Sequence, residues 1–447
     1  MSRFGPVRDR RTVRGVLGVG LGGGSALARR ARSWSVVPVG AGLALVGVSA
    51  YAFLALAGHA LAPGDYAAVA SLYLLTAVVG PGVFAALEQE TSREVSARIA
   101  AGHPTAPVLR SAIVISAVLA AAMITLLLVL SPLLVRRVFA GAWPLLLAAI
   151  VAVAGAASVS VIRGLFSGQR RYGWYGTSLA AEGLARLLPS VALAWGGVAS
   201  AGLIGAGHSP AAFGFAFAMG TPLAAAATAA GVRPDVPGPA ADLGRMARGV
   251  GFLAGASALT FLLANIAPVV LTSRLTGDPD TAASFISLFV LARLPLFMFS
   301  PVQAFLLPAL TAAAERGEAA QMRRQIRTMA VLVGAIGLAG VAGTAIAGPW
   351  AARVFFNAPL ELSALVAAAL GLSTMIMILA QVLQPALVAL GEHRVAASAW
   401  IAGTAVFGAL LILPVTPLVA VVAAQLAGPA MVVVIMTRAL LTRIAIK

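Results

Sequence analysis

The sequence predicts an all-α integral membrane protein with about twelve transmembrane helices. Only 10% of its 447 residues are charged and 60% are hydrophobic, whereas soluble domains carry roughly 25% charged residues. The apolar residues form unbroken stretches of roughly 20 residues, the length at which a helix crosses about 30 Å of hydrocarbon. Transmembrane β-strands would instead alternate apolar and polar residues over about ten positions. Both a water-soluble fold and a β-barrel are therefore excluded.

Twelve candidate spans follow one another along the chain and are separated by short loops. They are Val36–Gly58, Tyr66–Leu87, Ser111–Leu134, Trp143–Phe166, Tyr175–Val198, Ala211–Gly231, Val250–Leu275, Phe285–Leu310, Thr328–Gly348, Leu362–Val388, Ala396–Leu413 and Leu418–Met436. No loop between them is long enough to form a soluble domain with chemistry of its own. We expect a multi-pass protein of the cytoplasmic membrane.

The distribution of basic residues predicts which side of the membrane each loop occupies. Most of the 31 Lys and Arg residues fall in the N-terminal arm, the loops after even-numbered spans and the C-terminal tail. Only Arg136, Arg137, Arg274 and Arg353 fall on the opposite side. Because basic loops stay in the cytoplasm, both termini are predicted to be cytoplasmic. The net charge of +17 then indicates contact with anionic membrane lipid, and no nucleic acid partner is expected.

This map divides the chain into five segments. They are a basic cytoplasmic arm (1–35), an N-terminal six-helix lobe (36–231), a cytoplasmic inter-lobe linker (232–249), a C-terminal six-helix lobe (250–436) and a cytoplasmic tail (437–447). The arm superficially resembles a signal peptide, but its apolar stretch is mostly glycine. We therefore expect an uncleaved, disordered arm that lies on the membrane surface.

Two short motifs support an internal duplication. Gly-Gln-Arg-Arg at residues 168–171 follows span 4, and Gly-Glu-His-Arg at residues 391–394 follows span 10. Six spans per lobe is an even number, so the two lobes share one orientation and are related by an axis along the membrane normal. Lobes of this kind typically give alternating access to a central cavity.

Ionisable residues are rare inside the spans. Glu182 and Arg186 lie in span 5 and Arg293 lies in span 8, and each costs about 2.5–3.5 kcal/mol at the bilayer centre unless it is paired or hydrated. Glu182 and Arg186 stand one helical turn apart, so they can pair; a structural ion pair and a cavity-lining role both stay open. Arg163 and Arg274 fall at span ends, where their side chains can reach water.

Arg293 has no acidic residue in its own span and lies roughly 12 Å from the nearer predicted end. An anionic ligand such as a phosphate, bound through two parallel hydrogen bonds, would compensate this guanidinium. The alternative is pairing with Glu182 across the bundle, or with carbonyls that neighbouring prolines leave free. We favour the ligand and expect Arg293 to face a hydrated chamber between the lobes.

Prolines mark candidate hinges. Pro295, Pro301 and Pro308 crowd span 8, where they predict a kinked and mobile helix because proline removes a backbone donor and bends helices. Pro81 in span 2 and Pro268 in span 7 are further candidate kinks.

Motifs of enzymes are missing from the sequence. The four histidines are isolated in loops, and neither G-x-S-x-G nor a P-loop occurs. We therefore expect no catalytic residue, no metal site and no cofactor. A transporter is the remaining class.

Two segments of the sequence resemble bacterial polysaccharide flippases, which belong to the multidrug/oligosaccharidyl-lipid/polysaccharide exporter (MOP) superfamily. One contains residues 262–265 and 285–308, and the other runs from residue 164 to residue 187. The resemblance implies export of a polyprenyl-diphosphate-linked oligosaccharide, a cell-surface polysaccharide precursor, by alternating access. It also implies a cationic cavity and envelope polysaccharide assembly proteins as partners. The candidate substrate-binding residues are then Arg293, Arg186, Glu182 and Asn265.

Two other functions stay open. A cation-coupled multidrug antiporter of the same fold would depend on Glu182 as its only intramembrane proton carrier. Span 1 lacks a carboxylate and residues 266–268 contain none, which argues against this reading because the drug-exporting branch couples through membrane carboxylates. The other alternative is a non-transporting scaffold for envelope assembly, which would tolerate every intramembrane charge substitution.

Overall fold

The structure is a computed structural model that describes residues 22–200, 209–233, 242–296, 319–390 and 392–445. Every regular element in these ranges is helical. The main helices are α1 (Gly22–Ala60), α2 (Pro63–Val79), α3 (Ala85–Ala100), α4 (Ala106–Val129), α5 (Trp143–Gly168), α6 (Tyr172–Ser200), α7 (Pro210–Ala218), α8 (Gly220–Ala229), α9 (Leu243–Arg274), α10 (Pro279–Ala292), α11 (Ala319–Phe356), α12 (Ala364–Ala389), α13 (His393–Leu411) and α14 (Pro417–Ala445). The predicted all-α class is confirmed.

Ten helical segments in the described ranges are long and apolar enough to cross a membrane. They correspond to predicted spans 1–4, 6, 7 and 9–12. The two other spans are those with the intramembrane charges: span 5 forms as α6, and α10 covers the first part of span 8. A twelve-helix, two-lobe arrangement is consistent with these elements, and the segment boundaries stay predictions.

Two helices begin earlier than the sequence predicts. Helix α1 starts at Gly22, so the second part of the predicted disordered arm is helical. Helix α9 starts at Leu243, inside the predicted 232–249 linker. The Asp242 carboxylate accepts a hydrogen bond from the Arg245 backbone N–H at 2.9 Å. Such an N-cap satisfies a donor that a helix start leaves free, which extends α9 beyond its apolar span.

The proline of span 2 lies in a π-helical stretch, Gly80–Phe84, which joins α2 to α3. Pro81 therefore does mark an irregularity in the helix. Pro268 differs, since α9 continues through it without a break.

Span 8 is interrupted at Arg293, which ends α10. Two residues later Pro295 has no N–H to offer the carbonyl of Leu291, so one backbone hydrogen bond of the helix is missing here. The helix is therefore irregular at this point, whereas a kink or hinge at Pro295 stays a prediction. Pro301 and Pro308 lie outside the described residues.

The two lobes contact each other where α2 and α3 run beside α9. The Ser71 hydroxyl donates to Thr272 Oγ1 at 3.3 Å. In the predicted orientation, this contact lies in the outer half of the membrane. At the predicted cytoplasmic end, Arg245 Nη2 and Glu94 Oε1 form an ion pair at 3.0 Å. This inter-lobe seam is therefore closed at both ends.

A glycine allows α1 and α6 to pack closely. A Cβ on Gly176 would lie 2.5 Å from the carbonyl oxygen of Pro38, so Gly176→Ala must force the two helices apart. We expect a loss of about 1–3 kcal/mol in the free energy of unfolding, measured as a lower melting temperature in detergent. Gly173 on the same helix has nothing within 4 Å of such a Cβ. Gly173→Ala is therefore the control, and equal melting temperatures for both variants would contradict this packing.

Candidate functional site

The intramembrane charges of the N-terminal lobe form one cluster between α5 and α6. Glu182 Oε1 accepts a hydrogen bond from Arg186 Nη2 at 2.8 Å, which confirms that these two residues pair. The other carboxylate oxygen, Oε2, accepts from Arg163 Nη2 at 2.7 Å. All three residues are less than a tenth exposed. One buried carboxylate therefore bridges two guanidinium groups.

The expectation that Arg163 reaches water from the end of its span is wrong. Its Nε donates to Ser178 Oγ at 3.1 Å, and Nη2 donates to the Ser178 carbonyl at 3.2 Å. The side chain points into the lobe because α6 offers it an opposite charge and two further acceptors. Arg163 and its acceptors lie on different helices, so spacing within one helix could not reveal these contacts.

Glu88 is a second carboxylate of the same cluster, and sequence reasoning missed it. The Tyr175 hydroxyl donates to Glu88 Oε1 at 2.7 Å. Glu88 also lies within electrostatic range of Arg163 and Glu182. The residue follows the predicted end of span 2, but α3 continues as a helix to Ala100, which carries the carboxylate alongside α5 and α6.

Arg186 makes fewer polar contacts than Arg163. Its Cζ lies 4.4 Å from the ring centroid of Phe217, a cation–π geometry. The Tyr73 ring packs edge-on against Phe217, with centroids 5.4 Å apart. The Arg186 Nε has no hydrogen-bond partner among the described residues. This guanidinium therefore rests on an aromatic surface with one donor unsatisfied.

Arg293 is 3% exposed and sits at the break after α10. Its Nη1 donates to Thr374 Oγ1 at 3.2 Å, and its Cζ lies 4.6 Å from the Phe289 ring centroid. In the described part of the chain, Nε and Nη2 have no hydrogen-bond partner. Both Glu182 oxygens are occupied by other arginines, so the alternative of an Arg293–Glu182 pair does not form.

The hydrated chamber expected beside Arg293 stays a prediction, since residues 297–318 lie outside the described ranges. The cavity that the described residues form beside Arg293 has room for about one water molecule. It is lined by Ala292, Pro295, Gly337, Gly340, Gly371, Thr374, Met375 and Ile378. These glycines let α11 and α12 pack closely, which fills the space.

Tyr51 of α1 reaches the break after α10, where its hydroxyl donates to the Val290 carbonyl at 3.2 Å. Arg293 therefore lies near the boundary between the lobes.

Asn265 makes a local contact. Its Nδ2 donates to the Phe261 carbonyl, one turn earlier in α9, at 3.0 Å. Its role in substrate binding stays a prediction. No group of three or more potential metal ligands occurs among the residues that the structure describes.

Known structures with the same architecture are transporters. A multidrug resistance MATE family transporter of the MOP superfamily, solved in an inward-facing conformation, gives a TM-score of 0.68 at 15% identity, covering 92% of this chain and 98% of that one. An outward-facing structure of such a transporter gives 0.60 at 14% identity, with 92% and 94% covered. A mutant of the Vibrio cholerae MATE transporter VcmN gives 0.60 at 16%, with 95% and 98% covered. The chain therefore has a MATE-like fold.

The sequence relatives are mycobacterial. No known protein-family model matches the chain. The uncharacterized protein Rv1510 of Mycobacterium tuberculosis is 30% identical over 421 residues, which is 92% of each chain. The uncharacterized protein Mb3654 of Mycobacterium bovis is 28% identical over 406 residues, 89% of this chain and 90% of that relative. The protein belongs to the family of Rv1510.

Proposed function

We propose that this protein is a flippase that exports a polyprenyl-diphosphate-linked oligosaccharide across the cytoplasmic membrane by alternating access. The fold supports a transport role, since the similar solved structures are MATE transporters. The observation that carries the choice of substrate is Arg293, a buried guanidinium with two unsatisfied donors and no carboxylate beside it among the described residues.

A diphosphate is the ligand that best matches this guanidinium. An uncompensated charge inside the bilayer is expensive, and a phosphate would supply both the opposite charge and the acceptor oxygens. The planar fork of arginine binds two phosphate oxygens in parallel. A lipid-linked diphosphate would also keep its polyprenyl chain in the bilayer while its head group crosses between the lobes.

The predicted N-terminal lobe offers a cation that matches Arg293. Arg186 shares Glu182 with Arg163 and keeps an unsatisfied Nε. Each lobe thus holds one buried arginine that is incompletely compensated, on α6 and at the end of α10. A head group that contacted both arginines would be released or captured as the lobes move relative to each other.

A cation-coupled multidrug antiporter is the second candidate, favoured by the names of the similar solved structures, which are multidrug or MATE transporters. It requires a carboxylate that can take up a proton during each cycle. Glu182 suits this role poorly, because both of its oxygens already accept from guanidinium groups and protonation would break an ion pair. Glu88, the other carboxylate of the cluster, accepts from the neutral Tyr175 hydroxyl and is the better candidate for this role. A non-transporting envelope scaffold is the third candidate.

Reconstitution distinguishes the three functions. The purified protein would be placed in vesicles with a fluorescent, short-chain polyprenyl-diphosphate disaccharide, and movement between leaflets would be followed by quenching from outside. We expect the lipid to move only in vesicles that contain the protein. Cationic dye transport driven by a pH gradient, without lipid movement, would replace the flippase with an antiporter. Movement of neither probe would favour the scaffold.

A further inference from the structure

We infer that Arg163 is a positioning residue: by holding one oxygen of Glu182, it leaves Arg186 with the positive charge and free donor that bind an anionic head group. This inference rests on the proposed function and assigns a role to a residue outside the candidate binding set. It follows from how the cluster distributes its carboxylates between the two guanidinium groups.

The two arginines are compensated unequally. Arg163 binds Glu182 at 2.7 Å, also donates to the hydroxyl and the carbonyl of Ser178, and has Glu88 within electrostatic range. Arg186 receives only one oxygen of Glu182, at 2.8 Å, and its Nε has no partner among the described residues. The negative charge of the cluster is thus concentrated around Arg163, and the uncompensated positive charge is concentrated at Arg186.

Removing Arg163 would reverse this distribution. Glu182 and Arg186 stand one turn apart on α6, so a Glu182 released from Arg163 could turn both oxygens toward Arg186. The parallel, two-bond geometry that arginine forms with a carboxylate is then available. Such a pair is neutral and uses the donors that a phosphate would need. The guanidinium of Arg186 would remain in place but would no longer attract an anion.

This inference differs from a purely structural role in a way that experiment can detect. If the cluster only stabilises the lobe, then losing any member weakens the protein, and losing two weakens it further. If Arg163 acts by occupying Glu182, then removing Glu182 as well restores a free Arg186. The double variant Arg163→Gln/Glu182→Gln should therefore recover what Arg163→Gln alone loses.

The test measures binding of farnesyl diphosphate, a short isoprenoid diphosphate, to the purified full-length protein in detergent by titration calorimetry. We expect Arg163→Gln to weaken binding about tenfold or more, the scale of one charge-assisted hydrogen bond. The double variant should bind nearly as tightly as the wild type, and Glu182→Gln alone at least as tightly. Arg170, an exposed arginine just after α5, provides the control Arg170→Gln, which removes the same charge and should change nothing.

Size-exclusion profiles and melting temperatures would establish that each variant is folded. If Arg163→Gln does not fold, the affinity of Glu182→Gln is the deciding measurement. A purely structural role of the cluster predicts weaker binding in Glu182→Gln, whereas this inference predicts binding at least as tight as in the wild type. Suppose that Arg186→Ala abolishes binding. Then wild-type affinity in Arg163→Gln overturns this inference but not the proposed function, and so does a double variant that binds as weakly as Arg163→Gln. Two results overturn the proposed function and this inference with it. One is a wild-type protein that does not bind farnesyl diphosphate, and the other is unchanged binding in both Arg186→Ala and Arg293→Ala.

Discussion

Replacing Arg293 with alanine should abolish export while the protein stays folded. The described residues place no carboxylate beside this guanidinium, so the substitution leaves no buried acid without its partner. Among the described residues, Thr374 loses a hydrogen bond and the Phe289 ring loses its guanidinium neighbour. The Thr374 hydroxyl still donates to the Leu370 carbonyl at 3.1 Å. A bound diphosphate would lose charge-assisted hydrogen bonds worth about 1.5–3 kcal/mol each. Losing two such bonds should lower its affinity by about two to four orders of magnitude.

The measurement is complementation of a deletion strain by each variant, together with membrane protein level and melting temperature. Arg293→Lys keeps the charge but not the planar fork, so we expect intermediate activity. Arg323, an exposed arginine near the start of α11 in the same predicted lobe, supplies the charge-matched control Arg323→Ala, which should complement fully. Full complementation by Arg293→Ala would exclude the phosphate-binding role, whereas a lost melting transition would indicate a structural one.

The features that sequence predicted well are local. Unbroken apolar stretches fix the class and the approximate spans, because a helix must satisfy its own backbone in lipid. The spacing of Glu182 and Arg186 is also a local signal, since residues one turn apart face each other on any helix. The interruption of span 8 lies two residues before Pro295, whose missing N–H acts within the same helix, although Pro268 interrupts nothing in α9.

The features of the site that could not be predicted from the sequence depend on contacts between helices. Arg163 looked like a topology signal at the end of span 4, and Glu88 lay just beyond span 2. Only the packing of α3, α5 and α6 brings both to Glu182. Their charges alone gave no indication of this, because an arginine or glutamate in a cytoplasmic loop cannot be distinguished by residue type from one in a buried ion-pair network.

The space beside Arg293 is a further feature of this kind. Sequence identifies which residues are polar inside a span, but the space around them depends on how closely helices from both lobes approach. In the described part of the chain, that space is bordered by Tyr51 of α1, by Thr374 of α12 and by glycines of α11 and α12. Under the proposed alternating-access mechanism, we therefore expect the lobes to separate near this residue when a head group reaches it.

Joining α2 to α9 should stop export for the same reason. The chain contains no cysteine, so S71C/T272C introduces the only two thiols, at positions where the native oxygens are 3.3 Å apart. We expect an oxidant to join them, because small side-chain shifts bring sulfurs at this separation to bonding distance. Export should then fall nearly to zero, measured by the vesicle assay, and a reductant should restore it.

A second cysteine pair separates lobe motion from simple rigidification. Ser92 of α3 and Ser167 of α5 both belong to the predicted N-terminal lobe, and their hydroxyl oxygens are 3.1 Å apart. S92C/S167C should cross-link equally well, yet it should leave export intact because a rigid lobe moves as one body. If oxidised S71C/T272C also exports normally, the α2–α9 seam stays closed through the cycle. The lobes would then have to pivot about this seam, and the substrate path would open on the opposite side of the molecule.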